Sequence, residues 1–489
     1  GSGEDGRTVI RFLLCDAEET ISGLDPATSI LSYLRDVRRL SGTKNGCSTG
    51  DCGACTVVLG DLNGDAVRYR AVNACITPLF TLHGKQLITV EHLKHVGGLH
   101  TVQQAMVDCH GSQCGFCTPG IVMSLFAHLQ THSEPQKDTL IDSLCGNLCR
   151  CTGYRPILDA GIEMYASPLD DQFRRDEADT VVRLRAIAGS TQSVEAELNG
   201  KRCFAPQSIR QLASLLQTYP DAVLLAGGTD LMPGLVGRSE KPDVVVYTGN
   251  IAELQECSSS GETLEIGAAV PYSDCIDLLV EEYPGLREIF SRFGSRQIRN
   301  LGTLAGNIGS ASPCGDMLPF LIVVGAELIL RSGNQTRIEG VGSFLVGYRK
   351  TSLRPGEFIE RVIIPKARPG YLLETYKVSK RLDDDISSTC AAFHVRIEDG
   401  VIRDAGIAYG GMADIAKRAS HCEGALVGQA WNQATIDEAM RAMEDDFTPI
   451  SDFRASADYR MQASKNLLQR LFLECNASAP GLSVRHHEQ

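Results

Sequence analysis

Short runs rich in apolar and β-branched residues, with polar positions interspersed, recur in "TVIRFLLC", "CTVVLG", "AVRYRAVN" and "KQLITV", which predicts short strands joined by turns near the N-terminus. One helix is predicted among them, over "SILSYLRDVRRL", because "DPATS" supplies a capping signal just before it. From about His100 the pattern becomes that of a helix, in "TVQQAMVDCH", "TPGIVMSLFAHLQTH" and "QKDTLIDSLCG", the second opening on a favourable Thr-Pro. The pattern divides the first third of the chain into a β domain over residues 7–90 and a helical domain over 91–167. Residues 168–200 are dense in charge and show no sustained apolar face, so they read as a surface linker.

Helix and strand signals then alternate. "SIRQLASLLQTYP" predicts a helix, "AVLLAGGTD" a strand running into a glycine turn, and "DVVVYTG" and "TLEIGAAV" further strands, in a region over 201–370. The last region, 371–478, combines a hairpin in "AAFHVRIEDGVIRDAGIAYGG", signalled by its Asp-Gly, with helices over "ATIDEAMRAM" and "ADYRMQASKNLLQRLFLE". The expected class is a multidomain α+β protein.

Composition narrows the function. A chain of 489 residues exceeds one ordinary core, so about two to four domains are expected. The net charge of −13, with no long basic run, argues against nucleic acid or an anionic membrane surface as the main partner. The longest apolar run, "PFLIVVGA", is far too short to span a bilayer. The acidic, polar N-terminus carries no signal-peptide pattern, so a reducing cytoplasm is the expected setting. There, many of the 18 cysteines are expected to bind metal rather than form disulfides.

The cysteines fall into two constellations. Cys47, Cys52, Cys55 and Cys75, in "GCSTGDCGACTVV" and "NACITP", have the C-x4-C-x2-C…C spacing of a plant-type [2Fe–2S] site. Gly46, Gly50, Gly53 and Ala54 leave room for backbone to wrap a cluster and offer N–H groups to its sulfurs. Structural zinc usually uses two C-x2-4-C pairs, and this run does not fit that layout. The second set is Cys114 and Cys117 in "QCGFCTPG" with "CGNLCRCTGYRP", which carries Cys145, Cys149 and Cys151. Four thiolates suit zinc or a second [2Fe–2S], and spacing alone leaves both that choice and the choice among the last three cysteines open. No C-x-x-C is followed by histidine, so a c-type haem is not indicated.

Two glycine-rich stretches suggest a nucleotide. No G-x-G-x-x-G follows a strand, which argues against a Rossmann site. Gly227-Gly228, after a predicted strand, could turn backbone N–H groups toward a pyrophosphate or simply make a tight turn. "RFGSRQIRNLGTLAGNIGSASPCGDMLP" is small-residue-rich between Gly302 and Gly315 and reads as a poor helix or strand. It is either a cofactor-lining loop or a glycine-rich connection. His92, His95 and His100 read as surface histidines without a partner set, and Cys314 as a packed thiol.

The two cysteine segments resemble those of the molybdenum hydroxylases, the xanthine dehydrogenase and aldehyde oxidase family, almost letter for letter. The glycine-rich stretches resemble the FAD domain of the same family. The resemblance implies an N-terminal β-grasp ferredoxin domain, an all-helical second [2Fe–2S] domain, a non-Rossmann α+β FAD-binding domain and a C-terminal α+β flavoprotein subdomain. It assigns Cys149 and Cys151 as ligands with Cys114 and Cys117, leaving Cys145 spare. It implies FAD contacts at Leu224, Leu225, Ala226, Gly227, Gly228, Thr229, Asp230 and Leu231, and at Phe293, Thr303, Asp316, Ile359 and Lys377, with Asn307 added from the same loop. Read without the family, Ile359 is a strand core residue and Lys377 a solvated charge. In "KRLDDDIS" the family's usual Glu-Asp-Asp-Ile run is altered at Leu382 and Asp383.

The chain stops after the flavin region, where single-chain family members continue into a molybdenum-cofactor region. The fused arrangement resembles the iron–sulfur/FAD subunits of bacterial members acting on xanthine. It implies a large molybdenum-cofactor partner subunit, a dimer of heterodimers, and a relay from hypoxanthine or xanthine oxidation through both clusters to FAD and NAD+. No catalytic residue is expected on this chain. The alternatives are an aldehyde- or heteroaromatic-oxidising relative, a pure electron carrier or scaffold, and a zinc-stabilised flavoprotein.

Overall fold

The computed structural model describes residues 9–189, 193–235, 238 and 240–476. The chain divides into two compact units: residues up to Glu253 together with Gly294–Gly302, and Leu254–Phe293 together with the residues from Thr303 onward.

In the first unit, the predicted strands near the N-terminus form a five-stranded sheet. Ile10–Leu14 pairs antiparallel with Ala17–Ile21 and parallel with Gln86–Ile88, which continues through Thr56–Asn63 to Ala66–Asn73. Ser29 caps the helix that opens at Ile30, as the "DPATS" signal predicts, and the turn then widens into a π-helix over Tyr33–Val37. One face of the sheet, with Phe12, Val57 and Leu87, shares a core with Val194, Ala205 and Tyr247 of a second sheet. The other face, with Leu13, Val58 and Tyr69, packs on helices that contribute Met106, Phe126 and Leu184. Burial on both faces accounts for the consecutive apolar residues within Ile10–Leu14 and within the first half of Thr56–Asn63.

The helical part follows the predicted periodicity in Thr101–Asp108, Thr118–Thr131 and Lys137–Leu144, and adds Arg155–Glu163. Two expectations are corrected here. The charged stretch after residue 168 is not without an apolar face: it forms helices Gln172–Arg175 and Glu177–Ala188, which bury Phe173, Val181, Leu184 and Ile187. Phe173 meets Phe126 edge-on at 5.0 Å, so the face is supplied by a few residues among many charges. Residues 190–192 of that stretch lie outside the described residues. His100 is buried rather than on the surface, where it caps Thr101–Asp108 and its Nε2 lies 2.9 Å from Asp171 Oδ2.

The second sheet of this unit runs Val194–Leu198, Lys201–Ala205, Val244–Tyr247 and Val223–Leu225, the last three mutually parallel. Helix Ile209–Thr218, capped by Ser208, makes the crossover.

In the second unit, Cys257–Ser259, Thr263–Gly267, Phe358–Pro365, Glu327–Ser332 and Gln335–Gly340 form an antiparallel sheet in that spatial order. A further antiparallel sheet holds Tyr371–Val378, Thr389–Glu398, Val401–Gly410 and Lys417–Arg418. Asp399 and Gly400 both take positive φ, 51° and 72°, as the two-residue hairpin demands. Helices Gln433–Asp446 and Ala457–Asn476 contribute Ile436, Met443 and Leu468 to the core with Phe393 and Ile407.

Glu374, on strand Tyr371–Val378, is pushed up to about 7 by burial, reinforced by Glu474 and opposed by Arg470. Its folded value lies above the unfolded one, so its contribution is fully present below about 4.3 and is lost as pH rises through about 7. Discounted for partial exposure, the loss is about 1–2 kcal/mol. Glu374→Gln is therefore expected to flatten the stability profile between pH 5 and 8 and to raise stability at pH 8, read by denaturant unfolding at both pH values.

Candidate metal centres and flavin-binding segments

The loop from Gly46 to Cys55 is backbone that small residues allow. Gly50 and Gly53 hold φ of +79° and +75°. A Cβ on Gly46 would stand 2.7 Å from Cys52 Sγ. The turn aims three amides at one sulfur: Thr49, Asp51 and Cys52 N–H groups donate to Cys47 Sγ at 3.4, 3.3 and 3.4 Å. Cys75 N–H donates to Cys55 Sγ at 3.5 Å. Such N–H···S bonds stabilise a thiolate and tune the potential of a centre bound to it.

The four thiols crowd one another. Hydrogen bonds from Cys52 and then Cys75 hold Cys47 far below the ordinary thiol value, while bonding to Cys47 drives Cys52 and Cys75 up. Cys55 in turn bonds Cys75. All four cannot ionise together unless a cation takes the protons' place, and four soft sulfurs, two of them accepting backbone N–H bonds, suit a [2Fe–2S] cluster.

In the second set, Cys114 bonds Cys151 and Cys117 bonds Cys149. Burial, then the bond to Cys149, pushes the Cys117 thiol up to about 12. Thr152 Oγ1 lies 3.0 Å from Cys149 Sγ, and the Cys149 N–H donates to Tyr154 Oη at 2.9 Å. Cys145 turns elsewhere: its thiol bonds Arg299, which also pairs with Asp142. The structure thus brings together the four thiols that the resemblance singles out and gives Cys145 a bond to Arg299. Cys114 and Cys151 are exposed, as are Phe116, Leu148 and Tyr154 close to them in sequence, whereas Cys55 and Cys75 are buried.

The residues expected at a flavin lie in both units. In the first, strand Val223–Leu225 enters the turn Ala226–Asp230 and then helix Leu231–Leu235, with Gly228 at φ +73°. A Cβ on Gly227 would stand 2.0 Å from the Leu301 carbonyl oxygen, so only glycine passes there.

In the second unit, the small-residue stretch is corrected from irregular loop to helix Leu304–Ser310. Thr303 Oγ1 caps it by accepting from Gly306 N–H at 2.9 Å, and Leu304, Ala305 and Ile308 are buried, so capping and packing outweigh its glycines. Asn307 Oδ1 is buried with no partner among the described residues, an acceptor suited to a bound ligand's donor. Ile359 Cδ1 lies 3.8 Å from where a Cβ on Gly309 would stand, which puts Ile359 at this helix.

Asp316 accepts from Lys377 Nζ at 2.7 Å and from Ser387 Oγ at 2.5 Å, with all three side chains buried. Lys377 is therefore an interior charge rather than a solvated one. Phe293 stands 4.6 Å, ring to ring, from Tyr272, whose buried hydroxyl has no partner among the described residues. Tyr272 and Ser387 escaped the sequence reading because neither lies in a glycine-rich motif; only packing brings them to Phe293 and Asp316.

These features define a class: a polypeptide with two [2Fe–2S] binding domains and an FAD-binding domain. Residues 12–79 match the family model for a 2Fe-2S iron-sulfur cluster binding domain, and 89–161 that for a [2Fe-2S] binding domain. Residues 196–367 match the FAD binding domain in molybdopterin dehydrogenase, and 374–475 the CO dehydrogenase flavoprotein C-terminal domain. The chain belongs to the molybdenum hydroxylase family, of which it carries the iron–sulfur and FAD portion.

It is 33% identical to a xanthine dehydrogenase of Emericella nidulans over 91% of this chain and 37% of that protein. It is 31% identical to aldehyde oxidase 2 of Cavia porcellus over 96% of this chain and 40% of that protein. The chain thus spans well under half the length of the curated relatives it matches. Among solved structures, a Cu,Mo-CO dehydrogenase is similar with a TM-score of 0.52 and 28% identity, over 55% of this chain and 94% of that one. Quinoline 2-oxidoreductase from Pseudomonas putida 86 is similar with a TM-score of 0.52 and 29% identity, over the same shares. No helix among the described residues is long and apolar enough to cross a membrane.

Proposed function

We propose that this chain is the electron-transferring, NAD-reducing subunit of a xanthine dehydrogenase, working with a molybdenum-cofactor subunit that oxidises hypoxanthine or xanthine. The observation that carries the reading is the graded burial of the two thiol sets within one compact unit. Cys114 and Cys151 are exposed, where a partner's electrons can enter, and Cys55 and Cys75 are buried.

Bound there, two [2Fe–2S] clusters would take electrons singly, and FAD would pair them for hydride transfer to NAD+. The chain's own residues hold and tune. Cys47, Cys52, Cys55 and Cys75 would hold one centre and Cys114, Cys117, Cys149 and Cys151 the other, with the Thr49, Asp51 and Cys52 amides lowering the charge on Cys47. Leu224–Leu231, Phe293, Thr303, Asn307, Asp316, Ile359 and Lys377 would position FAD, Asp316 being held in place by Lys377 and Ser387. No side chain is asked to move a proton. The exposed apolar side chains of Phe116, Leu148 and Tyr154, close in sequence to Cys114 and Cys151, support docking of the molybdenum subunit there.

The identities to xanthine dehydrogenase and aldehyde oxidase, 33% and 31%, are nearly equal. An aldehyde or N-heteroaromatic substrate for the partner is therefore the second reading. The purified chain is expected to carry about four irons and four acid-labile sulfides, with bound FAD, and to reduce a dye with NADH. Zinc without labile sulfide would sink the iron–sulfur assignment. Co-purification with a molybdenum protein, and its turnover of xanthine against an aldehyde, separates the two readings.

A further inference from the structure

Gln297 is fully buried on the short helix Arg296–Arg299 of the first unit. Its Nε2 lies 3.1 Å from Thr56 Oγ1, 3.2 Å from Asn147 Oδ1 and 3.4 Å from Ser124 Oγ. Asn147, also buried, donates from Nδ2 to the Gly53 carbonyl at 3.2 Å and toward Thr56 Oγ1 at 3.3 Å, and accepts from Ser124 Oγ at 2.6 Å. Four polar side chains from four separate stretches of sequence close on one another in the interior.

The two stretches they pin are the thiol-bearing loops. Gly53 follows Cys52, and Asn147 precedes Leu148 and Cys149. Between the loops the Leu148 N–H donates to the Cys52 carbonyl at 3.0 Å. A single hydrogen bond therefore completes a covalent path from Cys52 to Cys149. The close approach depends on missing side chains: a Cβ on Gly53 would stand 2.0 Å from the Gly146 carbonyl, and one on Gly120 2.2 Å from the Gly53 carbonyl. Buried amides cost more than apolar groups of equal volume, and Gln297 Oε1 has no hydrogen-bond partner among the described residues. Packing alone would be served by a methionine or leucine there. What the amides add is direction, fixing the Gly53 and Asn147 peptides against each other.

We propose that Gln297 and Asn147 are positioning residues for electron transfer between the two thiol sets, locking the Leu148 N–H···O=C Cys52 bond as the link that carries it. The inference rests on the reading that both sets hold [2Fe–2S] clusters. The step served moves one electron from the reduced centre at Cys149 to the oxidised centre at Cys52, with no bond made or broken and no proton moved.

The test uses the full chain carrying its clusters, with Gln297→Met as the variant of matched length. Iron and sulfide content is expected to stay at the wild-type level. Hydrogen exchange of the peptide containing Leu148 is expected to lose protection. Flash-reduction kinetics are expected to show inter-centre equilibration measurably slower than in the wild-type chain. Should Gln297→Met lose iron, Ser124→Ala removes part of the same node and carries both readouts. Retained iron with unchanged exchange at Leu148, or lost protection with an unchanged rate, overturns the inference. A wild-type chain without labile sulfide overturns the relay reading instead.

Discussion

Replacing Cys149 or Cys151 with serine is expected to remove one of two iron–sulfur centres, leaving about two irons per chain of about four, while Cys145→Ser keeps both. The three cysteines lie within seven residues, yet their surroundings differ. Cys149 bonds Cys117 and lies beside Thr152, and Cys151 bonds Cys114. Cys145 is taken by Arg299, so its loss removes one contact of a guanidinium that keeps Asp142 and the Gly294 carbonyl. A serine hydroxyl is a harder and far more basic donor than a thiolate, which makes it the poorer ligand for iron at neutral pH. Iron and labile-sulfide assays, with electron paramagnetic resonance of the reduced chain, read the result as one signal lost and one kept. Loss of a centre in Cys145→Ser with retention in Cys149→Ser would reverse the ligand assignment.

The second large effect is expected at the Asp316–Lys377 pair. Their side chains are 5% and 2% exposed, at 2.7 Å, and Ser387 fills the other carboxylate oxygen. Removing one partner of such a pair strands the other charge in the interior, at a cost of about 3–5 kcal/mol. Asp316→Ala is therefore expected to lower the stability of the second unit by that amount and to cut FAD content, whereas Asp316→Leu combined with Lys377→Met recovers much of the stability but not the flavin. A double-mutant cycle by denaturant unfolding isolates the coupling. A single variant that loses less than about 1 kcal/mol would show the charges to be solvated after all.

Local chemistry was legible wherever a few adjacent residues decide the outcome. Ser29 caps the helix it precedes, and Asp399-Gly400 turns the hairpin it announces, because each acts on its own backbone. The C-x4-C-x2-C loop could be read for the same reason, since its glycines and its thiols lie within ten residues. Legibility failed where burial comes from elsewhere. Leu304–Ser310 is helical because Leu304, Ala305 and Ile308 are covered by other segments, and no propensity sum over its glycines anticipates that. The charged stretch around Phe173 likewise folds because Phe126 and Tyr69 are waiting for one aromatic ring.

By itself, then, the amino-acid sequence determined the donor types: nine candidate thiols in two constellations, a helical second set, and a glycine turn after a strand. These follow from residue identity and short-range geometry, which any fold would preserve. Tertiary structure alone decided which thiols meet, that Cys145 faces Arg299, that Lys377 is an interior ion, and that Gln297 reaches Asn147 across 150 positions of chain. Such pairings depend on where separate segments are brought to rest, and burial sets their energies, so they have no local signature to read.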